Sequence, residues 1–192
     1  MSFDSSPAKQ TQEEKMQLET ERLCLVPLSA RQIGLWTDDM GALEKELNCR
    51  YRAEPMEGLF LEIVRGQVEK TAGDTANYLY HTFWFLIRKT DRIVVGSADF
   101  KDMPDEQGEV EIGYGLGKDF EHRGYMTEAV GAMCAWALQQ PGVSAVTAET
   151  DTDNPASQNI LKRCGFSLYQ QAETCWWRLP PDNPHTQEAR NV

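Results

Sequence analysis

The sequence has little that suits a metalloprotein, a disulfide scaffold or a nucleic-acid binder. Its five cysteines, Cys24, Cys49, Cys134, Cys164 and Cys175, are odd in number and include no CxxC pair, which leaves a disulfide framework and a zinc site without support. The three histidines, His81, His122 and His185, are scattered, and no metal is expected. Basic residues are outnumbered, 19 Lys and Arg against 30 Asp and Glu, for a formal net charge of −11. Nucleic-acid affinity comes from cations that neutralise phosphates, so no direct nucleic-acid contact is expected. The same charge favours a cationic partner, and serves equally as a solvated acidic surface. No apolar run approaches the roughly 20 residues of a membrane-spanning helix. The opening "MSFDSSPAKQTQEEK" lacks the apolar segment of a secretory signal. The expectation is a soluble, cytoplasmic protein with no membrane partner.

What is present fits one domain. Residues 1–17 are polar without periodicity and read as a flexible extension, with Met16 an alternative start. Residues 18–179 read as the single folded domain, and "PPDNPHTQEARNV" (180–192) as a flexible tail. Within the domain, "TERLCLVPLS" is a strand ending at Ser29, which offers an N-cap to a following helix. Residues 40–80 hold two more helical segments. In the second, Leu59, Phe60, Ile63, Val64 and Val68 recur at helical spacing and predict one buried face. "FWFLIR" and "IVVGSADF", joined by "KTDR", predict an antiparallel hairpin.

In "EVEIGYGL" the apolar Val110, Ile112, Tyr114 and Leu116 alternate with Glu109, Glu111, Gly113 and Gly115. A strand face made of glycines predicts a bulge or a close approach by another backbone or a ligand. A helix over Met126, Val130, Met133, Ala137 and Leu138 and the strand "VSAVTAET" complete a βαβ unit. Asp153 or Asn154 then caps a helix with Pro155 at its first position and Gly165 at its stop. "FSLYQQ" and "TCWWRLP" form a last antiparallel pair, of which only one of the adjacent Trp176 and Trp177 faces the core. The expected fold class is α+β: a mixed, mostly antiparallel sheet of about seven strands flanked by helices around a βαβ core.

The turn "EHRGYMT" joins a glycine and Arg123 to a helix N-terminus, where unpaired N–H groups and a partial positive charge attract anions. Ile112 stands where a Walker loop needs its first glycine, Asp119 follows Lys118 where Ser or Thr is needed, and Gly113, Gly115 and Gly117 do not make G-x-G-x-x-G.

Three segments, "TERLCLVPL", "EIGYGLGKDFEHRGYMTEAV" and "NPASQNILKRCGF", occur in the order of the GCN5-related N-acetyltransferase (GNAT) family. The chain resembles that family over nearly its whole folded length, most closely the branch of ribosomal-protein alanine N-acetyltransferases (RimJ/RimL-like). The resemblance implies acetyl-coenzyme A as co-substrate, with its pyrophosphate on the backbone of Glu121, His122, Arg123, Gly124, Tyr125 and Met126. It places the pantetheine arm where the family's fourth and fifth strands splay, beside Tyr114, Gly115 and Leu116, with Asn154 and Ser157 touching the arm near the sulfur. Two positions depart from the family pattern: Glu121 replaces Gln or Arg, and Met126 replaces Gly or Ala.

The implied reaction is direct acetyl transfer to a primary amine through a tetrahedral intermediate. An alkylammonium must first lose a proton. Glu111 resembles the branch's glutamate base, with Glu109 in reserve, and strand N–H groups near Tyr114 to Leu116 would receive the oxyanion. The family's tyrosine acid falls at Leu161 here, which leaves Ser157 or an unassisted thiolate departure. Cys164 precedes Gly165 at a helix end and reads as an inert core thiol. The implied partner is an amine-bearing acceptor, a cationic peptide N-terminus or a small amine, and a homodimer stays open. The alternative is a non-catalytic acyl-coenzyme A sensor, motivated by Glu121, Met126 and Leu161.

Overall fold

A computed structural model describes residues 16–181, so 1–15 and 182–192, which hold most of the two expected flexible segments, lie outside the described residues. The first half runs β1 (Leu18–Glu19), β2 (Leu23–Pro27), α1 (Ala30–Asp38), α2 (Met40–Leu47), β3 (Arg50–Tyr51), α3 (Gly58–Gly73), β4 (Phe83–Arg88) and β5 (Ile93–Phe100). The second runs β6 (Glu109–Leu116), α4 (Tyr125–Ala137), β7 (Ala145–Asp151), α5 (Pro155–Arg163), β8 (Ser167–Gln171) and β9 (Thr174–Leu179). The sheet order is β1-β2-β4-β5-β6-β7-β9-β8, with β3 beside β5. The class is the expected α+β with a mostly antiparallel sheet, but nine strands form among the described residues rather than about seven. The additions β1 and β3 are two residues each, too short to leave a periodic signal.

Local chemistry sets several boundaries. Ser29 and Gln32 form a reciprocal capping box at the head of α1. Asn154, the choice between the two cap candidates, accepts from Ser157 N at 3.0 Å and starts α5 with Pro155 following. Gly165, at φ 88°, ends it.

Two cores cover the two sheet faces. On one, Leu23, Leu25, Trp84, Leu86, Phe100, Val110 and Ile112 pack against the apolar α4 and against Leu161 of α5. On the other, Phe83, Phe85, Ile87 and Val94 pack under α1, α2 and α3. Burying each such side chain contributes about 1.5–3 kcal/mol. The apolar spacing in α3 overstates its buried face: Val64 is fully buried, and Phe60 and Val68 pack against the core, but Leu59 and Ile63 are 71% and 48% exposed. Periodicity reports which residues share a stripe, not how wide the receiving groove is.

Trp36 organises the second core. The rings of Tyr51, Phe60, Phe83 and Phe85 all meet it edge-on, at 4.8 to 5.8 Å. Tyr51 then donates its hydroxyl to the Glu54 carbonyl at 2.7 Å, which pins the segment 52–54 across the end of β6. Gly117 allows this approach, since a Cβ there would lie 2.7 Å from the Arg52 carbonyl oxygen and 3.0 Å from Ala53 Cα. Its φ of −62° suits any residue, so Gly117→Ala tests steric approach alone. The expected cost is about 1–3 kcal/mol in urea unfolding; an unchanged midpoint would mean that the 52–54 segment yields freely.

Candidate active site

The βαβ unit forms as expected, with β6 and β7 parallel, but the two strands pair only from Glu109↔Ala145 to Glu111↔Thr147. Beyond that point β6 runs to Leu116 beside β5, and β7 runs to Asp151 beside β9. The sheet therefore forks. No bulge interrupts β6, whose register with β5 is regular from Ile112 to Leu116; the expected bulge is replaced by this fork. Glu111 accepts from Lys101 N and Gly117 donates to Val95 O, so by alternation the peptide groups of Ile112, Tyr114 and Leu116 face the gap rather than β5.

A cleft of about 360 Å³ occupies the fork, and its walls include Lys101, Glu111, Tyr114, Glu149, Asn154 and Ser157. Four of the residues singled out from sequence thus share one cavity. The glycine face of β6 is occupied by the chain's own side chains: a Cβ at Gly115 would run into the Glu54 carboxylate, and one at Gly113 would lie 2.6 Å from Lys101 Nζ.

Glu111 is half-buried. Burial pushes its carboxyl above the usual range, Lys101 opposes the shift, and Glu149 and Asp99 reinforce it. Burial likewise raises Asp99, tempered by Lys101, and raises Glu54. Glu109, the reserve carboxylate, receives Arg178 Nε at 2.6 Å and is held in that ion pair.

On the opposite face of β6, Tyr114 shares a hydrogen bond of 2.7 Å between its hydroxyl and that of Ser157 on α5. Burial pushes the Tyr114 phenol up to about 12, against the lowering effect of Ser157, so it keeps its proton at neutral pH. Leu161 is fully buried in the core. Cys164 is buried as well, its thiol pushed up to about 12 by burial. Trp177 is buried and Trp176 half-exposed.

The anion-binding turn stands at the head of α4. His122 and Gly124 both take left-handed conformations, φ 60° and 78°, on either side of Arg123, a curl that turns successive N–H groups to one side. Gly124 is the N-cap and no side chain caps the helix. Glu128, in the first turn, is drawn away. Its oxygens accept from the Thr20 hydroxyl, Arg22 N and Arg22 Nε. Glu121, His122 and Arg123 are exposed, whereas Met126 is 3% exposed and packs into the core, so its side chain does not compete for the turn. This uncapped fan of N–H groups and the free β6 edge fit the diphosphate and the amide-bearing arm of a coenzyme A thioester.

Sequence reasoning missed Arg22, Glu54, Asp99 and Lys101. Arg22 Nη1 donates to the Arg123 carbonyl at 2.9 Å and its guanidinium stacks over the Tyr125 ring at 4.5 Å. Among the described residues no group of three or more His, Cys, Asp or Glu is placed to hold a metal ion, and no helix is long and apolar enough to cross a membrane.

The chain is similar to known proteins in sequence and in fold. Residues 22–167 match the family model described as an acetyltransferase (GNAT) domain. The uncharacterized N-acetyltransferase YjdG of Bacillus subtilis is 37% identical over 95 residues, 49% of this chain and 56% of that protein. The uncharacterized N-acetyltransferase p20 of Bacillus licheniformis is 27% identical over 44% of this chain and 47% of its own length. The chain thus spans about half the length of the curated relatives it matches. Among solved structures, the ribosomal-protein-S5-alanine acetyltransferase of Vibrio fischeri superposes with a TM-score of 0.65 at 14% identity, covering 87% of this chain and 97% of that one. RimL, a ribosomal alpha-N-protein acetyltransferase in complex with coenzyme A, gives 0.63 at 14% identity over 86% and 98%. At such identities the likeness is one of fold.

Proposed function

The chain belongs to the GNAT family of acetyltransferases, and on that premise we propose that it moves an acetyl group from acetyl-coenzyme A to a primary amine by direct transfer. The observation that carries this reading is the meeting of Glu111, Tyr114 and Ser157 around one cleft at the sheet fork. Bound acetyl-coenzyme A supplies the acetyl group as an activated thioester.

The chain's own residues do the rest. The α4 N-terminus and the curl from Glu121 to Met126 hold the diphosphate, and the free edge of β6 from Tyr114 to Leu116 holds the arm. Glu111 takes the proton of the incoming ammonium, directly or through water, and its raised carboxyl brings its basicity nearer to that task. Ser157, with its hydroxyl fixed by Tyr114 and its N–H by Asn154, offers a proton to the departing sulfur. Tyr114 can replace that proton. The N–H groups facing the gap stabilise the oxyanion.

The acceptor is a cationic amine. Supporting this are Glu54, Asp99 and Glu111 on one face of β5 and β6, Glu149 across the fork, and the net charge of −11. A protein N-terminus heads the candidates because fold neighbours carry names of ribosomal-protein acetyltransferases; small polyamines follow.

Release of free thiol from acetyl-coenzyme A, measured across a panel of N-terminal peptides and small amines, tests the reading. Amine-dependent release is expected. Tight coenzyme A binding with no thiol released over the whole panel would instead make the chain a non-catalytic acyl-coenzyme A binder.

A further inference from the structure

Directly across the β5–β6 ladder from Glu111 lies Lys101, whose N–H donates to the Glu111 carbonyl at 2.9 Å. Residues opposite each other on an antiparallel pair project to the same face, so the Lys101 and Glu111 side chains share one side of the sheet. The next pair inward is Asp99↔Gly113. The Lys101 ammonium lies over Gly113, 3.7 Å from Asp99 Oδ2, so close that a Cβ at position 113 would come within 2.6 Å of it. It lines the same cleft as Glu111, Tyr114 and Ser157. A primary amine of this chain thus stands where the acceptor amine is required, beside the proposed base and on the face opposite the α4 N-terminus.

Resting on the functional reading above, we propose that Lys101 is a substrate of its own active site: in the absence of an external amine the chain acetylates Lys101 Nζ. The Lys101 ammonium gives one proton to Glu111, and its nitrogen forms a bond to the carbonyl carbon of the acetyl thioester. The C–S bond breaks, the thiolate takes a proton from Ser157, and the second nitrogen proton, lost as the amide forms, restores the Ser157 hydroxyl through water. The products are an Nε-acetyl amide, free thiol and one proton released to water, with no redox change. The mark removes the one cation that the cleft walls carry among the described residues, and leaves Asp99, Glu111 and Glu149 facing a neutral amide.

Geometry makes the transfer intramolecular, which dictates its kinetics. The full chain is incubated with deuterium-labelled acetyl-coenzyme A and no amine, and label is located by peptide mass spectrometry. Lys101 is expected to gain label at least about tenfold faster than the exposed Lys45, Lys118 and Lys162, because only it is held at the reacting centre. The rate constant should not change on dilution of the protein. Acetic anhydride, which needs no coenzyme site, should erase the preference. Glu111→Gln should slow labelling of Lys101 by about tenfold or more and leave the other lysines unaffected. Equal labelling of all four lysines, or a Lys101 rate proportional to protein concentration, would overturn the proposal. The amine panel run on the same preparation separates the two readings: thiol release with external amines and no label on Lys101 sinks self-acetylation alone.

Discussion

Glu111→Gln is expected to lower turnover by about 10²–10⁴-fold, the usual range for a positioned general base, and to leave the affinity for coenzyme A nearly intact. The substitution keeps the shape of the side chain and removes its negative charge and its ability to accept a proton. Burial, reinforced by Glu149 and Asp99, raises the Glu111 carboxyl despite the opposing Lys101. The acid limb of the wild-type rate profile should therefore lie above the usual glutamate range, with turnover rising as pH climbs through it. In the variant that limb disappears, and part of the rate returns at high pH, where acceptor amines lose their proton without help.

Stability supplies the control. A carboxyl whose folded pKa lies above its unfolded value binds its proton more tightly in the folded chain. Its stabilising effect is complete at pH below the unfolded value and falls away as pH rises toward the folded one. At neutral pH the Glu111 carboxylate is thus a cost to folding, and Glu111→Gln should hold or raise the unfolding midpoint there. Lost turnover with retained stability would mark a chemical role. An unchanged rate would remove Glu111 from the mechanism, and Glu109 is poorly placed to inherit it while paired with Arg178.

How much of this was legible depends on how local each signal is. The caps at Ser29 and Asn154 are readable because donor and acceptor lie three residues apart, and the βαβ unit because its periodicity switches within one short segment. The glycines of β6 were read as a bulge or as a close approach by another backbone or a ligand, and no bulge forms. They serve instead to admit Glu54 and Lys101, and the freed peptide groups come from the fork, a relation between β6 and β7 that no single strand encodes. The face shared by Lys101 and Asp99 was within reach, since closing the hairpin at "DMPDEQG" sets them opposite Glu109 and Glu111, although the observed register lies two residues further on, at Glu111 and Gly113. Glu54 was not, because its place on Gly115 is set by the Trp36 aromatic cluster and the Tyr51 hydroxyl. Arg22 likewise acquires its role only when β2 comes to lie beside α4.

In the proposed mechanism the anion turn and the base divide the work between binding and chemistry, and Gly124→Val should expose the division from the other side. Gly124 holds φ 78° at the uncapped head of α4. A β-branched side chain resists that conformation, at a cost of roughly 1–2 kcal/mol, and a Cβ would also approach Arg22 Nη2 at 3.4 Å. The backbone can keep the left-handed turn under strain or relax to an extended one. Relaxation would swing the N–H groups of Tyr125 and Met126 off the diphosphate. A turn kept under strain lowers folding stability and leaves binding as it was, whereas a relaxed turn must be restored on binding; that route should weaken coenzyme A binding by about tenfold, since each tenfold corresponds to roughly 1.4 kcal/mol, with turnover at saturating acetyl-coenzyme A close to that of the unmodified chain. Calorimetric titration of coenzyme A alongside steady-state rates reads both quantities. A folded Gly124→Val protein with a relaxed turn and unaltered affinity would mean that the diphosphate is held elsewhere, and the alignment of the thioester with Glu111 would lose its anchor.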